Sequence, residues 1–472
     1  MKYISTRGGG GERSFADQLL SGLAEDGGLY MPTHWPHVSA AQQASFRDQP
    51  FAETAATLLR LYTDVSWHEA LPRMTQEAFA GFSAPEVAPL RRLRTPSGQP
   101  LWLMELFHGP TLAFKDIAMQ LLARLMNHAL TERQSRATIL VATSGDTGAA
   151  AVRAFAGQAQ LQLVVLYPHG RISEVQRRQM TTAPDANVHA LAVDGSFDDC
   201  QRMVKALLCD QAACRRWQLA GVNSINWGRV MAQLVYYFTA LAQLPQTEKR
   251  EASFAVPTGN FGDIFAGYAA ARMGAPIARL IIASNQNDVL PRLLASGHYA
   301  PQQVSATTSP AMDIQWPSNL ERLLFDAGGR DAGMVRTAYA ALAEAGAWQL
   351  PPDLQRALKA RFDAETVSEA AAADAIRRWH GQGEGQGVLL DPHSAIGVVA
   401  AERQLDKGDG AGRLVSLATA HPAKFPDAVE AACGERPQLP PDLAAALNAP
   451  ERMQRLRAST DALHSMLADL CG

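Results

Sequence analysis

Lys115 stands between Phe114 and Asp116 in the run His108-Gly109-Pro110-Thr111-Leu112-Ala113-Phe114-Lys115-Asp116. The chain holds only seven lysines among its 43 Lys and Arg residues. Lys2, Lys205, Lys249, Lys359 and Lys407 lie in polar stretches, whereas Lys115 and Lys424 do not. A guanidinium keeps its proton at any ordinary pH, but an amine can lose one and attack a carbonyl. Lys115 is therefore a candidate Schiff-base nucleophile, for which pyridoxal phosphate is the usual carbonyl partner. A helix predicted over 116–130 begins at this lysine, and the partial positive charge of a helix N-terminus disfavours an ammonium there. The other reading is a lysine that merely opens a helix and reaches for water.

Three further segments gather small and polar residues just after predicted strands. Thr143-Ser144-Gly145-Asp146-Thr147-Gly148 joins a strand at 138–142 to a helix at 149–155. Small residues leave backbone N–H groups exposed at a helix start, which suits a carboxylate or phosphate, although a tight turn needs the same residues. Pro257-Thr258-Gly259-Asn260-Phe261-Gly262-Asp263 follows a strand at 253–256 and precedes a helix at 264–273. Two glycines three apart let the backbone close around a phosphate or simply turn, and the run fits neither the P-loop nor the dinucleotide fingerprint. Asp263 would repel a phosphate if it faced inward, so its side chain is expected outward, as a cap. Ala418-Thr419-Ala420-His421-Pro422-Ala423-Lys424-Phe425-Pro426-Asp427 follows a strand at 414–417. It offers the Thr419 hydroxyl and the second misplaced lysine, or a proline-fixed start to a helix at 427–432. Together the four segments supply one amine, two anion cradles and a hydroxyl, the set that pyridoxal phosphate needs to act on an amino acid.

The elements that must position them alternate short apolar runs with helical sequence. The runs are 101–104, 138–142, 162–167, 188–193, 253–256, 280–283, 388–390 and 414–417. Several are almost wholly apolar, as parallel strands covered on both faces must be. The expected fold class is α/β, with two doubly wound, mostly parallel sheets, helices on both faces and a mainly helical N-terminal segment. The expected domains are 1–95, mainly helical; 96–235, a smaller α/β unit with Lys115 and the Ser144–Thr147 loop; and 236–472, a larger α/β unit with the 259–262 loop and Thr419. Residues 321–385 and the last thirty or so read as helix.

With 472 residues the chain is too long for one ordinary core. A net charge of −3 gives no footprint for nucleic acid. No apolar run approaches the roughly 18 residues of a membrane helix, and the first residues lack a signal-peptide core. Cys200, Cys209, Cys214, Cys433 and Cys471 form no C-x-x-C pair. Free thiols in a reducing cytoplasm are the expectation. No histidine or cysteine spacing suggests a metal.

At these residues the chain resembles the threonine synthase family of the tryptophan-synthase-β structural class, of the longer bacterial and fungal type, which has fold type II among pyridoxal-phosphate enzymes. The resemblance runs through Asp26-Gly27-Gly28-Leu29-Tyr30-Met31-Pro32, the Lys115 segment, residues 143–148, Asn223-Ser224-Ile225-Asn226-Trp227-Gly228-Arg229, residues 257–263, Asn285-Gln286-Asn287-Asp288, Met312-Asp313 with residues 317–325, and residues 419–425. It implies conversion of O-phospho-L-homoserine and water to L-threonine and phosphate by γ-elimination and β-addition, in a monomer or homodimer. A phospholyase or dehydratase on the same fold is the alternative. It implies Lys115 as the amine that carries the cofactor, and Gly259, Asn260, Phe261 and Gly262 on the cofactor phosphate. Thr419 would meet the pyridine nitrogen. Thr143, Ser144, Gly145, Asp146 and Thr147 would hold the substrate carboxylate. Asn223, Ser224, Asn226, Arg229 and Lys424 are expected around the substrate phosphate. Much of the wider class has Asn where Asp146 stands, near the cofactor O3′. Here either a proton is shared or Asp146 points elsewhere.

Overall fold

The computed structural model describes residues 1–245, 251–381, 387–408 and 413–471, so Lys249 lies outside the described residues. Two sheets organise the chain. The larger has six strands in the order Phe362–Thr366, Ile277–Ser284, Ala252–Pro257, Leu414–Ala418, Pro100–Glu105 and Leu90–Arg94. All neighbours are parallel except the last pair, which is antiparallel. The smaller is wholly parallel, in the order Gln454–Arg457, Val188–Asp194, Leu161–Pro168, Ala137–Ala142 and Leu219–Ala220. The central strands Ala252–Pro257 and Leu414–Ala418 are buried at every position, as strands covered on both faces require.

The helix Trp227–Gln243 packs against both Lys115–Glu132 and Gly262–Arg272 and is buried at every residue from Trp227 to Ala240. A helix buried on every side belongs inside a molecule, and this one fills the space between the two α/β units. The N-terminal segment is mainly helical, with helices Phe15–Ser21, Ala40–Ser45, Phe51–Arg60 and Leu71–Phe79 and a strand pair, Tyr3–Ser5 with Tyr30–Pro32. Arg322 ties it to the rest. Its Nε donates to the Tyr30 carbonyl at 3.0 Å, its other nitrogens donate to Asn319 Oδ1 and the Ile225 carbonyl, and its guanidinium lies 5.6 Å over the Trp227 ring.

The sheets cross the contiguous division at 95/96 and 235/236. Pro100–Glu105, within the expected smaller unit, pairs with Leu414–Ala418 of the larger sheet, and the C-terminal strand Gln454–Arg457 pairs with Val188–Asp194 of the smaller one. Two strands absent from the expectation, Leu90–Arg94 and Gln454–Arg457, are edge strands rich in arginine, a composition that blocks edge-to-edge pairing and hides them from an apolar-run search. A third, Phe362–Thr366, interrupts a stretch expected to be helical. Residues 388–390 are not a strand. Val388 and Leu390 pack in the core with Trp379, the Val388 amide donates to the Trp379 carbonyl, and the run leads into the Asp391 cap of helix Pro392–Asp406.

Candidate functional site

Loops at the carboxyl ends of the central strands converge, the usual position for a ligand in an open α/β sheet. The chain leaves Pro100–Glu105 and is stitched to the neighbouring strand's end: the Leu106 amide donates to the Ala418 carbonyl at 2.9 Å, Phe114 N to Thr419 O at 2.9 Å, and His421 N to Leu112 O at 3.0 Å. These bonds bring Lys115 and Thr419 together although they lie far apart in the chain. Asp116 shapes the loop from inside. Its buried carboxylate accepts from Thr111 N at 2.8 Å and Thr111 Oγ1 at 2.6 Å, and a Cβ on Gly109 would overlap it.

Lys115 opens helix Lys115–Glu132 with its side chain 11% exposed. Its Nζ lies 3.2 Å from Asp146 Oδ2, and the Phe114 ring lies 4.9 Å away. Asp146 opens helix Asp146–Phe155 in the loop after Ala137–Ala142. Gly145 turns this loop at φ 141°, and any Cβ there would overlap the Gln176 amide. The second Asp146 oxygen, Oδ1, accepts from Gln176 Nε2 at 3.0 Å and faces Lys424 Nζ at 3.2 Å. Burial works to raise the Asp146 carboxyl, but the Lys424 and Lys115 ammoniums and the Gln176 amide outweigh it, so the group is held well below the usual carboxylate range. Asp146 is thus held as an anion beside the Lys115 and Lys424 side chains.

The loop from Thr258 to Gly262 follows Ala252–Pro257 and opens helix Gly262–Arg272. Phe261 takes a left-handed φ of 63° at the entry to the helix, a turn of the kind that can gather amides around an anion. A Cβ on Gly259 would overlap the Ala311 carbonyl oxygen, and one on Gly262 would sit 3.2 Å from Asn319 Nδ2 and 3.9 Å from Gln233 Oε1. Gln233 Oε1, Arg229 Nε and Asp263 Oδ2 are buried polar atoms with no hydrogen-bond partner among the described residues. A glycine-lined loop at a helix N-terminus, where an added Cβ would fill the space, fits a phosphorylated cofactor.

Asp263 corrects the expectation of an outward cap. It is buried, and its Oδ1 accepts from the Tyr236 hydroxyl and, at 3.3 Å, from the Tyr237 hydroxyl of the central helix. Burial pushes its carboxyl up to about 7, against the opposing pull of both tyrosine hydroxyls and Lys115.

Among the residues expected around the substrate carboxylate and phosphate, several are committed to partners in the fold. Asn226 is committed: its Oδ1 accepts from Gly228 N at 2.9 Å as a helix cap, and its Nδ2 donates to the Leu19 carbonyl at 2.9 Å. Lys424 is committed too. It is fully buried, and its three N–H directions meet the Thr111 carbonyl at 2.7 Å, Gln179 Oε1 at 3.1 Å and Asp146 Oδ1 at 3.2 Å. Thr143 turns inward, where its Oγ1 accepts from Gly145 N and Gly148 N, both at 2.9 Å. Ser144 is exposed, and Thr147, Asn223 and Ser224 are half-buried. Arg229 donates once, from Nη1 to the Val222 carbonyl at 3.2 Å, and retains donors; burial pulls its guanidinium down to about 10. Arg229, Gln233, Tyr236 and Tyr237 share one face of the central helix at helical spacing.

Residues missed by the sequence reading complete the site. Asp391 is fully buried, accepts from the Ser394 hydroxyl and lies 2.9 Å from His393 Nδ1. Ser394 Oγ accepts from the Thr419 amide at 3.1 Å, and His393 Nε2 accepts from Ala311 N at 3.3 Å, so Nδ1 carries the proton given to Asp391. One carboxylate thereby fixes both the Thr419 backbone and the segment facing Gly259. The signal was Asp-Pro-His-Ser, a cap followed by proline at the first helical position. Among the described residues, no group of three or more His, Cys, Asp or Glu side chains could hold a metal ion.

The pyridoxal-phosphate dependent enzyme family model matches residues 83–420, flanked by a threonine synthase N-terminus model at 2–79 and a threonine synthase C-terminal model at 394–467. The chain is 45% identical to threonine synthase from Pseudomonas aeruginosa over 96% of this chain and 95% of that one. It is 40% identical to the Saccharomyces cerevisiae threonine synthase over 90% and 88%. Among solved structures, that of pyridoxal-phosphate-bound threonine synthase from Brucella melitensis superposes with a TM-score of 0.94 at 47% identity, covering 100% of this chain and 99% of that one. Threonine synthase from Escherichia coli superposes with a TM-score of 0.82 at 33% identity, over 99% and 100%.

The buried Asp263 carboxyl makes stability depend on pH in a stated direction. In the unfolded chain an aspartyl group titrates near its ordinary value of about 4. Between about pH 4 and about pH 7 the fold therefore keeps a proton that the unfolded chain has released, and stability falls as pH rises through that window. Asp263→Asn, compared with the parent in urea unfolding without cofactor, is expected to flatten this decline by about 1–4 kcal/mol. An equally steep decline in both proteins would contradict the buried, protonated state.

Proposed function

This chain belongs to the threonine synthase family of pyridoxal-phosphate-dependent enzymes, and on that premise we propose that it converts O-phospho-L-homoserine and water into L-threonine and phosphate. The observation that carries the proposal is the position of the Lys115 amine: at a helix start, beside an ion-paired carboxylate, and joined by backbone bonds to the strand end that bears Thr419. Lys115 would hold the cofactor aldehyde carbon. The amides of Gly259, Asn260, Phe261 and Gly262 would take its phosphate, and the Thr419 hydroxyl would meet its ring nitrogen. Pyridoxal phosphate, when bound, supplies an electron sink that acidifies first the Cα and then the Cβ proton of an amino acid.

The protein's own groups do the rest. Ser144, Thr147 and the amides at the start of helix Asp146–Phe155 receive the substrate carboxylate, with Gly145 keeping the approach clear. Arg229, which retains unpaired donors in a buried position, receives the substrate phosphate with Ser224 and Asn223 beside it. Lys115 Nζ removes the Cα proton and then a Cβ proton, phosphate departs from Cγ, a proton returns to Cγ, water adds at Cβ, and Cα is reprotonated. The net result is one water consumed and one phosphate released. The unpaired thiols of Cys200, Cys209, Cys214 and Cys433 support a reducing, cytoplasmic setting.

The purified protein given phosphohomoserine is expected to release phosphate and threonine in equal amounts; a 2-oxo acid in place of threonine would identify a phospholyase or dehydratase instead. Lys115→Ala should lower turnover by at least ~10²-fold and remove the visible absorbance of protein-bound cofactor. Retention of both would sink the assignment. Arg229→Ala should raise KM for phosphohomoserine roughly tenfold or more while cofactor retention changes far less. Equal loss of both would count against a substrate-phosphate role.

A further inference from the structure

Lys424 takes no part in the steps above, yet it is a charged group with its side chain 0% exposed. Its three neighbours, the Thr111 carbonyl, Gln179 Oε1 and Asp146 Oδ1, are all acceptors. An ammonium satisfies them all, whereas a neutral amine would turn its lone pair on one of the three oxygens. Lys115 differs: its one oxygen partner is Asp146 Oδ2, and its side chain is partly exposed toward the site. The two amines therefore share one buried carboxylate, one of them locked and the other with room to react.

The geometry points to Lys424 as the positioning residue that neutralises Asp146, so that Lys115 can give up its proton and act as a free amine without leaving an unpaired carboxylate in the interior. The inference rests on the reading of Lys115 as the cofactor-bearing amine. If Lys115 were Asp146's only cation, its deprotonation would strand a buried anion, which is strongly unfavourable. With Lys424 in place the anion keeps a partner whichever form Lys115 takes. The charged and titratable groups that bear on the triad are few. Asp263 acts on Lys115, His393 and the Gln176 amide on Asp146, and Asp116 and His421 lie in the field of Lys424. Asp263, the acid coupled to Lys115 besides Asp146, is itself held by two tyrosines.

Trace acetylation of the full-length chain, after hydroxylamine removal of the cofactor, reads the pH midpoint of Lys115 reactivity by peptide mass, with exposed Lys205 as internal reference. In Lys424→Met the midpoint should move up by about one pH unit or more, roughly a tenfold loss of relative reactivity at a fixed pH below it. Lys424→Arg, which keeps the charge, should stay with the parent. An unmoved midpoint in Lys424→Met, or an equal move in both variants, overturns the inference. Should circular dichroism show Lys424→Met unfolded, Asp146→Asn decides: its Lys115 midpoint must move down, and no movement overturns the inference. The carrier assignment is decided separately by Lys115→Ala, so the failure of one reading is distinguishable from that of the other.

Discussion

The Asp146 carboxylate, closed off from water between Lys115 and Lys424, sets the terms for the whole site. Burying an ion is costly unless it is paired and hydrogen-bonded. Here the pairing draws on four separate segments: the loop after Ala137–Ala142, the start of helix Lys115–Glu132, the turn after Leu414–Ala418, and Gln176 and Gln179 of helix Glu174–Thr181. Neither sheet could satisfy the group alone. The same contact that stabilises the anion therefore holds the smaller sheet's loop against the carboxyl edge of the larger sheet, where Thr419 and the Gly259 loop stand.

A second buried carboxylate, Asp391, organises the other side. Through Ser394 it fixes the Thr419 amide, and through His393 it fixes the Ala311 segment whose carbonyl closes on Gly259. The places we propose for the two ends of the cofactor, ring nitrogen and phosphate, are thereby linked by one hydrogen-bonded hub on helix Pro392–Asp406. Arg229 and Gln233 of the central helix each contribute a buried polar atom left unpaired among the described residues.

The sequence revealed the chemistry more readily than its supports. Lys115 stood out because lysine is scarce and because a helix starts there, and the glycine-bearing loops stood out because they follow apolar strands. The Asp146–Lys424 pair was invisible, since tertiary convergence rather than spacing makes it. Asn226 looked like a substrate ligand and is spent as a helix cap, and Asp263 was expected outward because its tyrosine partners lie on a distant helix. The apolar triplet 388–390 imitated a strand and so hid the Asp391 hub. The edge strands Leu90–Arg94 and Gln454–Arg457 escaped because arginine-rich edges carry no apolar signature, and the second of them sends the C-terminus back to the smaller sheet.

Two amines flank one carboxylate, and in the proposed chemistry Lys115 carries the carbonyl carbon while Lys424 keeps Asp146 neutralised. Borohydride reduction of the cofactor-loaded protein, followed by peptide mass mapping, separates them. A single pyridoxyl tag on Lys115 is the expected result. A tag on Lys424, on any other side chain, or on none would contradict the placement of the reactive amine and with it the chemistry built on that placement.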